Sequence, residues 1–312
     1  MMVCPLLLSA QEDTPEVEHI IVHPNDDDDW LYGFHDTISD SVFGTAKWFD
    51  SFFGADEIEE VGVESLARIQ LGWEPRARDF DVFSQRFRVR VKLPNLKNKV
   101  DLIFSDDLDD ESINKQFSEA RSPQSDHKED SFSAAIRVIN ADKLSKFIDT
   151  RLGITGGDVF VKTRYKWDKV YNDKHHFEVQ PSLYYYLDEG LGSKLFLEYE
   201  YGLAADKQLR TSYSVKVSES FSGNKWRHGF YYLHQLDHLR ATSLGVVIKG
   251  EDNSEKGYNV ENYTLSYRYR INAYRKWLFF EIEPFFEWPE DEDYKFTPGI
   301  ALRVEGFFKR SE

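Results

Sequence analysis

Residues 263–271, 276–287 and 299–308 read YTLSYRYRI, KWLFFEIEPFFE and GIALRVEGFF, and these three stretches decide the fold. In the first, Tyr263, Leu265, Tyr267, Tyr269 and Ile271 share one face, while Thr264, Ser266, Arg268 and Arg270 share the other. In the second, Leu278, Phe280, Ile282, Pro284 and Phe286 oppose Glu281 and Glu283. The third sets Ile300, Leu302, Val304, Gly306 and Phe308 against Arg303 and Glu305. A period of two is the mark of a β-strand with unlike environments on its two sides. If the apolar side meets lipid, a cation on that side costs about 2–4 kcal/mol at the bilayer midplane. The charges must then point into an enclosed interior. Neighbouring strands in register bring Arg268 and Arg270 opposite Glu281 and Glu283, a mildly favourable arrangement across a strand pair.

Working outward, the same alternation recurs near 63–73, 82–92, 99–105, 131–140, 148–154, 158–167, 175–187, 194–203, 208–218, 226–236 and 239–249. With the three C-terminal segments (259–271, 276–287 and 295–308) this makes fourteen strands over residues 63–308. Most have the length that a tilted strand needs to cross a bilayer, about 9–11 residues. Segments 99–105 and 148–154 are short, which leaves twelve strands as the alternative count. Turn chemistry fills the gaps: Pro94-Asn95, Gly156-Gly157, Asn172-Asp173, Gly223-Asn224 and Asp252-Asn253. The expected fold is an all-β, antiparallel up-and-down transmembrane barrel preceded by an amphipathic helix. If the first strand starts on the periplasmic side, the long acidic connection 106–130 falls outside the cell and the last strand returns to the periplasm, as an even-stranded bacterial barrel requires.

Composition supports this reading. The chain has 312 residues and a formal net charge of −16, yet 15% of it is aromatic. Its mean hydropathy is −0.56. A helical membrane protein would need a run of roughly 18 apolar residues, and the sequence has none. The acidic balance argues against nucleic acid as a partner. Trp73, Trp167, Trp277 and Trp288 are expected near strand ends, where aromatic girdles sit. A soluble sandwich is the competing architecture, but it would turn these charges to bulk water.

Ahead of the barrel, residues 1–10 (MMVCPLLLSA) have the apolar core and small terminal residue of a signal-peptide end, cleaved after Ala10. Cleavage would remove Cys4, the single cysteine, and with it any thiolate site. Residues 11–29 are acidic and read as a disordered lead-in ending in four aspartates. Residues 30–54 carry Trp30, Phe34, Ile38, Val42, Ala46 and Phe49 at helical spacing, widened by Trp48, Phe52 and Phe53. The aspartate run suits the positive end of a helix dipole. This helix is expected to pack at the periplasmic mouth, with a plug that enters the lumen or a docking helix for a periplasmic partner as the alternatives. Its apolar face disfavours deep entry into a charged lumen.

The terminal strand GIALRVEGFF resembles the recognition signal by which outer-membrane barrels are read by the barrel-assembly machinery, although Lys309 to Glu312 extend past the aromatic. The pieces YRYRINAYRKWLFFEIEP, TPGIALRVE and RVRVKLPNL resemble an uncharacterised proteobacterial outer-membrane barrel family. The resemblance implies a Gram-negative outer membrane, lipid as the surrounding partner, and no known activity.

Chemistry-bearing patterns are sparse. His228 and His234 share a face in HGFYYLHQLDH, but six residues of strand separate them by about 20 Å, too far for one metal. They, His238, and the pair His175-His176 read as interfacial or turn histidines. Ser212, Ser214 and Ser266 point inward without an evident base. No catalytic residue, metal set or cofactor site is assigned. The expected lumen-lining charges are Arg86, Arg88, Arg90, Lys162, Arg164, Lys166, Glu178, Glu198, Glu200, Arg268, Arg270, Glu281, Glu283 and Arg303. They suggest a porin-like channel for small solutes, with a lipid-directed hydrolase or a non-conducting scaffold docking through residues 30–54 as alternatives.

Overall fold

A computed structural model describes residues 48–49, 52, 65–93, 100–105, 132–143, 146–172, 174–254, 257–275 and 277–309. The expected segments 1–10 and 11–29 and the connection 106–130 lie outside the described residues, as does helix 30–54 apart from Trp48, Phe49 and Phe52, which are helical. Fourteen strands follow: β1 (Ser65–Trp73), β2 (Phe83–Lys92), β3 (Val100–Ser105), β4 (Ser133–Lys143), β5 (Lys146–Thr155), β6 (Asp158–Tyr171), β7 (His175–Tyr186), β8 (Gly190–Ala204), β9 (Lys207–Ser218), β10 (Phe221–Asp237), β11 (Arg240–Asn253), β12 (Gly257–Asn272), β13 (Leu278–Pro289) and β14 (Thr297–Lys309).

Each strand pairs with its neighbour in sequence, and β14 returns to pair with β1, so the sheet closes on itself. The closing seam is antiparallel and runs from Leu66↔Lys309 to Trp73↔Leu302. Closure leaves no strand edge to be satisfied by solvent or by another chain. The count of fourteen is settled by β3 and β5. β3 is only six residues long but pairs on both sides, and β5 runs for ten residues from Lys146 rather than from residue 148.

The partition of side chains is inverted relative to a water-soluble protein. Along β13 the charged or large inward positions Phe279, Glu281, Glu283, Phe285 and Glu287 are buried, while the outward Ile282 is 42% exposed. β7 does the same, with Glu178, Gln180 and Ser182 buried and Leu183 63% exposed. This is the two-residue period seen in the sequence, with the polar set enclosed and the apolar set outside.

The two ends of the barrel differ. At the end where β1 starts and β14 finishes, most strand connections are tight. At the opposite end the longer connections sit, including 74–82 and 106–132. The 74–82 connection is fastened to the start of β14: Ala77 N donates to Pro298 O (2.8 Å), Ile300 N donates to Pro75 O (3.0 Å), and Arg78 bonds both Glu292 and Thr297 Oγ1. Gly156 and Gly157 form the β5–β6 hairpin with φ of 56° and 88°, the positive values that a two-residue turn demands.

Some local expectations are corrected. Gly223-Asn224 is not a turn; both residues lie inside β10, where the β9–β10 register shifts between Phe221 and Lys225. A glycine beside a polar residue suits a bulge as well as a turn. Asp252-Asn253 form the last rungs of β11 opposite Tyr258 and Gly257, so the turn falls after them. His175 and His176 open β7 instead of lying in a loop, and Trp167 lies inside β6, short of its end.

Three glycines face aromatic rings directly across a strand pair. Tyr184 pairs with Gly192, Tyr231 with Gly245, and Phe285 with Gly299. A Cβ at Gly192 would lie 2.2 Å from the Tyr184 ring, one at Gly245 2.9 Å from Tyr231, and one at Gly299 2.2 Å from Phe285. The missing side chain is therefore where the neighbour's ring lies. Gly299→Val is expected to destabilise the folded barrel by about 1–3 kcal/mol, the usual penalty of overpacking. Following unfolding in urea by heat-modifiable gel mobility, that penalty should shrink when Phe285 is first changed to Ala. Equal penalties in both backgrounds would show that the ring and the glycine do not constrain each other.

Candidate functional site

The interior is the candidate site, and it is built from inward side chains supplied by nearly every strand. Of the expected lumen-lining residues, Arg86 is half-buried and the other thirteen, from Arg88 to Arg303, are buried. They do not form one cluster. The barrel gathers them into two charged zones that an apolar stretch of wall separates.

The first zone spans β12, β13, β14 and β1. Arg270 donates through Nη1 to Glu281 Oε1 at 2.7 Å and to Glu305 Oε2 at 2.6 Å. Arg268 Nε donates to Glu283 Oε2 at 3.2 Å. Arg303 Nη1 donates to Glu283 Oε2 at 2.5 Å, and its Nε reaches Glu74 Oε1 at 2.8 Å. Arg68 of β1 pairs with Glu305 of β14, which carries the ladder across the closing seam. The register explains why these partners meet: Arg270 lies opposite Glu281, and Glu281 opposite Arg303. Arginine brings a planar fork of donors to each carboxylate, so one cation can tie two strands.

The second zone runs from β2 to β9. Asp149 of β5 accepts from Arg137 Nε at 2.9 Å, Arg151 Nη2 at 3.0 Å and Arg164 Nη2 at 3.0 Å. Asp101 of β3 takes Arg90, at 2.9 Å. Lys166 lies 3.7 Å from Glu178, Arg210 is 2.7 Å from Glu200, and His176 Nδ1 is 3.0 Å from the same carboxylate. Arg164 and Lys166 also lie over the Phe147 ring at 5.6 and 5.8 Å. Asp101, Arg137, Asp149, Arg151 and Arg210 were not singled out from sequence. The signal for Asp149 and Arg151 was present, two charges at a spacing of two inside the apolar run FIDTRLGI, but the segment's shortness hid it.

Buried charge is sorted unevenly around the wall. Among the described side chains of β2–β6, seven buried basic residues (Arg88, Arg90, Arg137, Arg151, Lys162, Arg164 and Lys166) face two buried acids, Asp101 and Asp149. On the rest of the wall five buried arginines (Arg68, Arg210, Arg268, Arg270 and Arg303) stand among nine buried glutamates (Glu74, Glu178, Glu198, Glu200, Glu251, Glu281, Glu283, Glu287 and Glu305).

Between the zones, toward the end where β14 finishes, the inner wall of β10 and β11 is largely apolar. Tyr231, Leu233, Ala241 and Val247 form one buried cluster with Phe279 of β13 and with Trp48, Phe49 and Phe52 from ahead of the barrel. The Trp48 and Phe52 rings stack at 4.5 Å, and Phe52 meets Phe279 edge-on at 5.6 Å. The amino-terminal aromatics thus sit inside the end of the barrel, against inward residues. These three rings lie at one end of the barrel, against an apolar sector of its wall.

The histidines and serines stay apart. His228 and His234 share the outward face with the exposed Phe230, whereas Ser212 and Ser266 are buried within. The sheet stands between them. His175 Nδ1 lies 2.7 Å from Tyr199 Oη.

No family model matches the chain, and no curated protein does either. Solved structures do share its general form. OprB of Pseudomonas putida has 9% identity and a TM-score of 0.49, covering 81% of this chain and 96% of that one. A loop-deletion mutant of OmpT, an outer membrane protein of Vibrio cholerae, has 8% identity and a TM-score of 0.48, covering 79% and 99%. The outer membrane channel DcaP of Acinetobacter baumannii has 8% identity and a TM-score of 0.46, covering 79% and 96%. By closure, even strand number and inverted polarity, the chain has the architecture of an outer-membrane barrel.

Arg270 is the joint of the first zone, so its removal should be costly. Arg270→Met leaves Glu281 and Glu305 buried without their shared cation, and a broken buried pair of this kind costs about 3–5 kcal/mol. Adding Glu281→Gln and Glu305→Gln should recover much of that loss in urea unfolding. A neutral Arg270→Met variant would show that the neighbouring Arg68 and Arg303 already satisfy these carboxylates.

Proposed function

We propose that this protein is an outer-membrane channel whose basic wall on β2–β6 selects small anionic solutes. The observation that supports it is the uneven sorting of buried charge around an enclosed interior. Rings and stripes of fixed charge set which ions a pore admits, because a solute that sheds water must be compensated by the wall. The wall's arginines are held in place by Asp149 and Asp101, so the stripe is preorganised. The glutamate-rich side opposite repels anions toward it and orients dipolar solutes in transit.

The membrane half of the reading follows from the outward face. Leu71, Leu152, Leu183, Ile282 and Leu302 are all exposed, on strands from several parts of the barrel. Hydrocarbon is the solvent that makes such a face favourable. A lipid-directed hydrolase finds less support, since the outward histidines lie across the sheet from the inward serines.

Two measurements test these halves separately. Ile282→Arg should lower the stability of the barrel refolded into lipid by about 2–4 kcal/mol; no loss would place that face in water. In planar bilayers under a salt gradient, the protein should give discrete current steps with an anion-selective reversal potential. The combined change Arg86→Gln, Arg88→Gln and Lys162→Gln should move that potential toward zero. A cation-selective reversal potential, or one indifferent to these changes, would sink the proposal.

A further inference from the structure

We infer that Trp48, Phe49 and Phe52 form a stopper, built into the chain, that closes one end of the barrel interior. All three are buried, Phe49 completely. They occupy the end at which β14 finishes, in one cluster with Phe279, the second residue of β13, and with Phe307 near the end of β14 packed against it. The seat is shaped for rings. Tyr231 lies against Gly229 and Gly245, where a Cβ would come within 2.6 and 2.9 Å of its ring, so two strands give up side chains to let it lie close to the wall. Leu233 and Ala241 complete a patch that offers no charge to be desolvated.

A charged group guards the edge of this patch. Arg270 lies 4.3 Å from the Phe279 ring and 5.9 Å from the Phe52 ring, while Glu281 and Glu305 hold its guanidinium. A cation over an aromatic face is attracted by the ring quadrupole, and more so away from water. Phe52 therefore screens the ladder's nearest rung from the end of the barrel. Withdrawal of the stopper would wet Arg270 and its two glutamates. The apolar patch at this end of the wall is what makes the stopper possible: an aromatic segment finds hydrophobic contact there, and it blocks the lumen where it binds.

The stopper stands on geometry, and only its consequence for current rests on the channel reading. Its test is a labelling rate. Ser243 is buried on the inner face of β11, opposite Leu233 of the seat. In a Cys4→Ser background, Ser243→Cys should react slowly with a water-soluble maleimide in the folded, detergent-purified full chain. Adding Trp48→Ala, Phe49→Ala and Phe52→Ala should raise the rate at least tenfold, and Phe52→Gln alone should raise it severalfold in a milder background. Equal rates in barrels that retain heat-modifiable mobility would overturn the stopper. Bilayer recordings of the same proteins separate the two ideas. Faster labelling with longer openings supports both. Faster labelling with no current keeps the stopper and removes the channel.

Discussion

A charge that points inward from a closed sheet has no bulk water to retreat to, and the rest of the structure depends on meeting that constraint. Arg270 shows how it is met. Its guanidinium reaches Glu281 on the next strand and Glu305 one strand further, and Glu305 in turn takes Arg68 across the seam. No two adjacent strands could supply that chain alone. Closure of the barrel and neutralisation of its interior are thus one event, because Arg68 and Glu305 meet only when β1 and β14 pair in register. A slip of one residue would turn every inward charge to the outside. Buried ion pairs add little net stability, but they make the wrong register expensive.

The same constraint divides the interior. Where arginines and glutamates alternate strand by strand, as on β12–β14, charges cancel locally. Where basic residues crowd, as on β4–β6, one aspartate serves three arginines and the sector keeps an excess of positive charge. Where the wall is apolar, as on β10 and β11 toward the end at which β14 finishes, aromatic and aliphatic groups fill the space instead. A second apolar cluster, Ile103, Ala135, Phe160, Tyr184 and Tyr186, lies toward the opposite end on β3–β7. Charged and apolar sectors therefore alternate both around the barrel and along it.

Much of this was legible in the sequence, for a physical reason. The period of two is local, and any strand between lipid and an enclosed interior must show it; hence all fourteen segments were visible, even β3 with six residues. The pairing of Arg268 and Arg270 with Glu283 and Glu281 was also foreseeable, because a tight connection between β12 and β13 leaves little freedom of register. What stayed hidden depends on strands distant in sequence. Arg68 and Glu305 meet across 237 positions of sequence. Glycine facing an aromatic, as Gly245 faces Tyr231, is invisible until register is known. Gly223-Asn224 misled because turn and bulge use the same residues.

The position of the amino-terminal aromatics is the sharpest instance of this limit. From composition alone, an apolar helix face and a charged lumen are incompatible, and exclusion from the lumen is the correct deduction for an average wall. The wall is not average. Tyr231, Leu233, Ala241 and Val247 sit on two adjacent strands, so their apolar character is concentrated in one sector instead of being diluted around the circumference. Hydrophobic contact depends on contiguous area, not on mean polarity. One bare sector about two strands wide is enough to seat Trp48, Phe49 and Phe52, and the arginine beside it adds a cation–π contact where a desolvation penalty would otherwise be expected.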